Sequence, residues 1–113
     1  MKRISTHVLD VGRGRPASNV PVRLDKERAP GNWVPVQSAN TDQDGRCSQL
    51  LPDGELLPGV YRLVFDTEHY FEAQKIAGLY PVVEVTFHVR DGESQFHIPL
   101  LLTANGYTTY RGS

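Results

Sequence analysis

Four histidines, one cysteine and a short acidic loop are the side chains of this sequence with chemistry to offer. His7 and His97 are the two to watch. Each falls in an alternating stretch beside apolar neighbours, where a neutral imidazole near pH 7 can relay a proton. His69 falls in a helical pattern and His88 on the polar side of a strand, and both read as solvated surface groups. Cys47 follows Arg46, and a neighbouring guanidinium stabilises a thiolate, but a small residue inside a strand is the simpler reading of that cysteine. The loop Asn40-Thr41-Asp42-Gln43-Asp44-Gly45 imitates the start of a calcium-binding loop. It fails at its twelfth position, where Leu51 stands in place of a bidentate glutamate, so Asp42 and Asp44 read as turn-formers. The sequence contains no Gly-x-Ser-x-Gly elbow, no His-Glu-x-x-His and no paired Cys-x-x-Cys, which argues against a serine nucleophile of that type and against a zinc site.

Strands are the elements that must position these groups. Val, Ile and Thr together number 22 against six Ala, and Gly plus Pro make up 18 of the 113 residues. Side-chain shape therefore favours strands, and the turn-formers divide them into short pieces. Ile4, Thr6 and Val8 alternate with Ser5, His7 and Leu9 up to a loop at Gly12 to Pro16, which puts His7 on one face with Leu9 and Val11. Val20 to Leu24 is a second strand, held to an edge or a strand start by Pro21. Trp33 to Gln37 is a third, and Arg46 to Ser48 follows the Asp44-Gly45 turn. A Pro- and Gly-rich loop from Pro52 to Gly59 precedes the strand Val60 to Asp66. The pattern predicts one helix, capped by Thr67, carrying Tyr70, Ala73 and Ala77 on one face and stopping at Gly78. Val83 to Val89 is the cleanest alternation in the chain. Asp91-Gly92 and Asn105-Gly106 are hairpin signals, so the last three strands are expected to form an antiparallel meander. Within it, Phe96 facing the core sends His97 outward.

The fold expectation is an all-β, two-sheet antiparallel sandwich of about eight strands with one short helix, in a single domain over residues 1–113. The formal net charge is −1, so the basic footprint of a nucleic-acid binder is missing. The first 28 residues carry a surplus of four positive charges, read as a solvated strand face. A single cysteine excludes an intrachain disulfide and suits a reducing compartment. No stretch approaches the ~20 apolar residues of a membrane span, and the N-terminus lacks a signal-peptide core, so the expected location is cytoplasmic.

Ser5-Thr6-His7-Val8-Leu9-Asp10 with Gly14-Arg15-Pro16-Ala17, and the stretch from Phe96-His97-Ile98-Pro99 through Tyr110-Arg111-Gly112-Ser113, resemble the 5-hydroxyisourate hydrolases of the transthyretin-like family. Asp44-Gly45-Arg46, the segment Tyr61 to Asp66, and Tyr80-Pro81 followed by Val83 to Phe87 fall in the family's order between them. The final Tyr-Arg-Gly-Ser is the most specific element, because it separates the hydrolases from the hormone carrier. The resemblance implies an eight-stranded sandwich, a homotetramer built as a dimer of dimers, and active sites in a channel between dimers. It implies hydrolysis of 5-hydroxyisourate, the product of urate oxidation, to 2-oxo-4-hydroxy-4-carboxy-5-ureidoimidazoline, with no metal and no organic cofactor. The positions matching the family's functional residues are His7, Arg46, His97 and Ser113 for catalysis, and Tyr110, Arg111 and Gly112 for binding substrate.

The chain departs from the family's usual pattern at Leu79 to Val82, at Gln95 where the family often has His, and at Thr103-Ala104. These positions read as strand or turn residues outside the matched site. Hydrolysis of a cyclic amide needs a deprotonated water, a donor where the oxyanion forms, and a means of orienting a planar ring. His7 and His97 suit the first, and the forked guanidiniums of Arg46 and Arg111 suit the others. Sequence does not choose which histidine is the base. Gly112 is expected to permit a backbone bend that turns Ser113 toward the substrate. The competing expectation is a non-catalytic carrier holding a small aromatic ligand in the same channel.

Overall fold

The computed structural model describes residues 2–52 and 56–113. Its elements are β1 (Arg3–Asp10), β2 (Arg15–Pro16), β3 (Pro21–Ala29), β4 (Asn32–Asn40), β5 (Arg46–Cys47), β6 (Gly59–Phe65), α1 (Thr67–Glu72), β7 (Val83–Val89), β8 (Gln95–Thr103) and β9 (Gly106–Thr109). Two sheets stack. One runs β2-β1-β8-β9 with β5 also on β1, and the other runs β4-β3-β6-β7. Ile4, Val8, Leu100 and Leu102 from the first meet Leu24, Leu63, Phe65 and Val83 from the second in a continuous buried core, which gives each strand one apolar face by its period of two. Across the gap between sheets, the rings of Phe87 and Phe96 lie 6.0 Å apart.

The sandwich agrees with the sequence expectation, while several of its parts differ. Nine strands are present among the described residues. The expected final meander does not form: β7 pairs with β6 in one sheet, and β8 pairs with β1 and β9 in the other. Asp91-Gly92 is therefore a turn that carries the chain from sheet to sheet. Gly92 takes φ +85° there, which is the conformation an Asp-Gly pair supplies to any tight turn, hairpin or not. The β1–β8 pair is parallel, so the sheet containing it is mixed. β8 lies between β1 and β9, and its apolar run from Ile98 to Leu102 is largely buried. The other hairpin, at Asn105-Gly106, forms as expected. β3 is central, with Pro21 as its first residue, and the third strand reaches from Asn32 to Asn40.

The helix is shorter than the pattern predicts. Asp66 caps it, accepting from the His69 N–H at 3.0 Å, while Thr67 is buried and donates its hydroxyl to the Tyr80 carbonyl at 2.6 Å. The turn ends at Glu72, and Lys75 adopts φ +58°, so Ala77 never joins a helical face. Gly78 serves a different purpose from a helix stop: a Cβ there would lie 2.7 Å from the Phe71 ring. Residues 53–55 of the expected Pro52 to Gly59 loop, and residue 1, lie outside the described residues. Among the described residues no helix is long and apolar enough to cross a membrane.

Among the described residues one side-chain hydrogen bond ties the helix to the first sheet. Tyr70 donates its hydroxyl to the buried carboxylate of Asp10 at 2.6 Å, and the other Asp10 oxygen accepts from the Arg13 N–H at 3.1 Å. Removing a donor from a buried acceptor costs about 1–3 kcal/mol. Tyr70→Phe is expected to lower the unfolding free energy by that amount, read as a lower urea midpoint at an unchanged m-value. An unchanged midpoint would show that this bond contributes nothing to stability.

Candidate active site

On the outward face of the first sheet, alternation along β1 places Arg3, Ser5 and His7 in a row, and along β8 it places Gln95 and His97 beside them. The parallel register sets Ser5 opposite His97, and the Ser5 hydroxyl lies 2.9 Å from His97 Nδ1. β5 runs antiparallel on the other side of β1, with Arg46 opposite His7 and Cys47 opposite Thr6. Arg46 is exposed on the outward face while Cys47 is buried in the core. Burial, followed by the charge of Asp42, pushes the Cys47 thiol up to about 11, which disposes of the activated thiolate.

The turn before Arg46 is tightly specified. Asp42 Oδ1 accepts from the backbone N–H of both Asp44 and Arg46 at 2.9 Å. Gly45 sits at φ +77°, and a Cβ there would come within 2.3 Å of the Val8 carbonyl oxygen, so only glycine fits. His7 Nε2 donates to the Asp44 carbonyl at 2.8 Å; a carbonyl can only accept, so that nitrogen bears the hydrogen. Asp42 and Asp44 thus act as the turn-formers the sequence suggests, and the turn they build presents Arg46. Among the described residues no three His, Cys, Asp or Glu side chains gather as a metal-binding cluster.

The C-terminal segment closes the other side. Gly112 bridges His97, donating its N–H to the His97 carbonyl at 2.7 Å. A Cβ on Gly112 would lie 2.6 Å from His97 Cδ2. Glycine is required here for close approach to the imidazole. The expected bend is not the reason, since Gly112 lies outside the left-handed region. Arg111 stacks its guanidinium 4.5 Å over the Phe96 ring and pairs with Glu93 at the rim.

These elements enclose a half-open cleft of about 480 Å³ whose lining includes Arg46, His97, Arg111, Gly112 and Ser113. Five of the seven sequence candidates therefore meet in one place. His7 lies beside the cleft without lining it, and Tyr110, 55% exposed, borders an adjoining groove that shares Phe96 and Arg111 with the cleft. Sequence reasoning missed Arg3, Ser5, Ser48 and Gln95, which also line the cleft. Gln95 is thus part of the cleft wall, contrary to the reading of that departure as remote. Ser5 was accessible in principle, because it shares a strand face with His7; its distance to His97 was not, because it depends on a parallel register. His69 and His88 are exposed and stand outside the cleft.

The electrostatics favour a neutral imidazole. Burial, then the positive charge of Arg46, then the proximity of His7 hold His97 below the ordinary histidine value. Among the described residues the Arg46 guanidinium has no hydrogen-bond or ion-pair partner, and His97 Nε2 has none either. The cleft therefore offers one proton acceptor beside fixed positive charge, an arrangement suited to deprotonating water and stabilising an oxyanion.

The model of the HIUase/Transthyretin family matches residues 4–112. A mouse 5-hydroxyisourate hydrolase is 43% identical over 111 residues, covering 97% of this chain and 94% of the mouse protein. Among solved structures, a Klebsiella pneumoniae 5-hydroxyisourate hydrolase superposes with a TM-score of 0.87 at 31% identity, covering all of both chains. Sea bream transthyretin in complex with thyroxine superposes with a TM-score of 0.90 at 30% identity, over 97% of this chain and 94% of that one. Backbone likeness alone is thus shared by a hydrolase and a transthyretin in complex with thyroxine, while the family model's match over nearly the whole length shows that this chain belongs to the HIUase/Transthyretin family.

Proposed function

We propose that the chain is a 5-hydroxyisourate hydrolase, acting in urate degradation as one hydrolase domain over residues 1–113. The observation that supports this most is a half-buried His97 on a cleft that also holds the Arg46 guanidinium, unpartnered among the described residues; burial and that cation both hold the imidazole pKa down. A carrier of an apolar aromatic ligand gains nothing from such a lining, since polar groups left without partners by the ligand cost free energy. The relatives' names support the hydrolytic alternative over the carrier.

In the mechanism we infer, Nε2 of neutral His97 takes a proton from water as its oxygen attacks the carbonyl carbon of the substrate's cyclic amide. Negative charge develops on the carbonyl oxygen, where the guanidinium of Arg46 receives it. The carbon–nitrogen bond then breaks, and His97 returns the proton to the departing nitrogen, opening the ring. His7 acts through the turn: its bond to the Asp44 carbonyl holds the segment that presents Arg46. Arg111 and Ser113 face the planar substrate from the C-terminal segment, Gly112 keeps the His97 ring in place, and Tyr110 borders the approach. A homotetramer, as a dimer of dimers, would place a second protomer over the half-open cleft and exclude water from it. No metal or organic cofactor enters this reading, and a reducing, cytoplasmic setting suits the single buried thiol.

The test is to add the purified protein to freshly oxidised urate and follow the absorbance of the intermediate. Acceleration of its decay, unchanged by a chelator, is expected; no acceleration over the spontaneous rate would sink the hydrolase reading. His97→Asn and Arg46→Ala are each expected to cut turnover by about a hundredfold or more, with far-UV dichroism unchanged because both side chains lie outside the core. Gly112→Ala should cost between about tenfold and a hundredfold, because it displaces the His97 ring from its working position. Equal losses in His69→Ala or His88→Ala would show that the wrong histidine has been chosen.

A further inference from the structure

We propose that Ser5 is a positioning residue for His97, its hydroxyl oxygen accepting the hydrogen of Nδ1 and so keeping the lone pair on Nε2, the ring nitrogen that has no partner among the described residues. This rests on the hydrolytic reading above, and it adds to that reading a residue that fixes the imidazole's tautomer. A neutral imidazole has one donor nitrogen and one acceptor nitrogen, and the partner of one decides the state of the other. Here that partner is Ser5 Oγ, 2.9 Å from Nδ1. Ser5 is only 9% exposed, and among the described residues its hydroxyl has no other side-chain or backbone partner.

A serine hydroxyl can donate or accept, and the two directions leave the imidazole in different tautomers. If Ser5 donated to Nδ1, Nε2 would carry the hydrogen. The other polar side chains lining the cleft are guanidiniums, an amide and hydroxyls, so an imidazole N–H there would leave no side-chain base among them. If Ser5 accepts from Nδ1–H, its own hydrogen is free to point into the cleft, which Ser5 itself lines. Only the second arrangement gives a base at Nε2.

The backbone makes the contact reproducible. Ser5 and His97 are register partners in the parallel β1–β8 ladder, and the bond from the Gly112 N–H to the His97 carbonyl secures the same residue from the other side. The ring is held between a hydroxyl on Nδ1 and the Gly112 backbone packed near Cδ2. Partners of this kind, one step removed from the reacting atoms, change activity by about 10–100-fold when lost from metal-bound histidines, and the same orienting logic applies to a histidine base.

The experiment uses the whole chain labelled with nitrogen-15, with long-range proton–nitrogen NMR of the imidazoles at about pH 8, well above an ordinary histidine pKa. The expected wild-type pattern is a protonated Nδ1 and an unprotonated Nε2 for His97, with Ser5→Ala giving a mixture of tautomers. In the urate-intermediate assay Ser5→Ala should lose about tenfold in kcat with little change in KM, and Ser5→Thr, which keeps the hydroxyl, should recover most of it. An unprotonated Nδ1 in the wild type overturns the proposal, whatever happens to the variants. A Ser5→Ala protein that loses activity while keeping the wild-type tautomer also overturns it, because Ser5 would then be merely structural. Should the wild type fail to accelerate decay, the hydrolytic reading falls, and the wild-type spectrum still decides whether Ser5 accepts from Nδ1.

Discussion

The parallel pairing of β1 with β8 is the constraint on which the site depends. It joins two segments from opposite ends of the chain over eight register pairs, from Arg3 with Gln95 to Asp10 with Leu102. Because side chains alternate with a period of two, a slip of one residue would turn His97 into the core and expose Ile98. The buried side chains Ile4, Val8, Leu100 and Leu102 forbid that slip. The same apolar pattern that stabilises the sandwich therefore sets Ser5 against His97 on the outer face. Everything else at the cleft attaches to this pair of strands: β5 brings Arg46 along one side of β1, and Gly112 seals the flank of β8.

Two kinds of glycine serve this arrangement. Gly45 permits a left-handed turn pressed against the Val8 carbonyl, which aims Arg46 outward. Gly112 permits contact between backbone and imidazole, where any Cβ would collide. The charges then sort by role. Arg111 is held at the rim by Glu93 and Phe96, whereas Arg46 keeps its guanidinium unpaired among the described residues and so available to a developing anion. Its proximity helps keep His97 unprotonated. In the proposed mechanism one cation thus prepares the base and faces the oxyanion.

Much of this was legible in the sequence, for reasons that are local. Alternation in Ile4 to Asp10, in Val60 to Phe65 and in Val83 to Val89 marks strands, and the Asn105-Gly106 hairpin is a local chemical signal. The outward direction of His97 follows from Phe96 being apolar. Sheet membership was not legible: Asp91-Gly92 signals a turn without saying whether the next strand returns beside β7 or crosses to the opposite layer. The parallel register was invisible for the same reason, and with it the Ser5–His97 contact and the place of Gln95 in the wall. The helix was overextended because Ala73 and Ala77 fit a helical period, while the close approach of Gly78 to Phe71 is a tertiary fact. Arg46 and the C-terminal segment were selected by resemblance, and spacing alone would not have united them.

The account stands on a neutral His97 as the acceptor of water's proton, with Arg46, His7 and Ser5 as the polar groups around it. The most direct measurement is kcat/KM for the free enzyme across pH. A base must be unprotonated to work, so a pKa pushed down by burial and by Arg46 keeps the active form present through neutrality. The account predicts a rate that is flat near pH 7 and falls only on acidification, through a midpoint below the ordinary histidine value of about 6.5, with that limb missing from the residual activity of His97→Asn. A midpoint at or above the ordinary value, or the same acid limb persisting in His97→Asn, would contradict it.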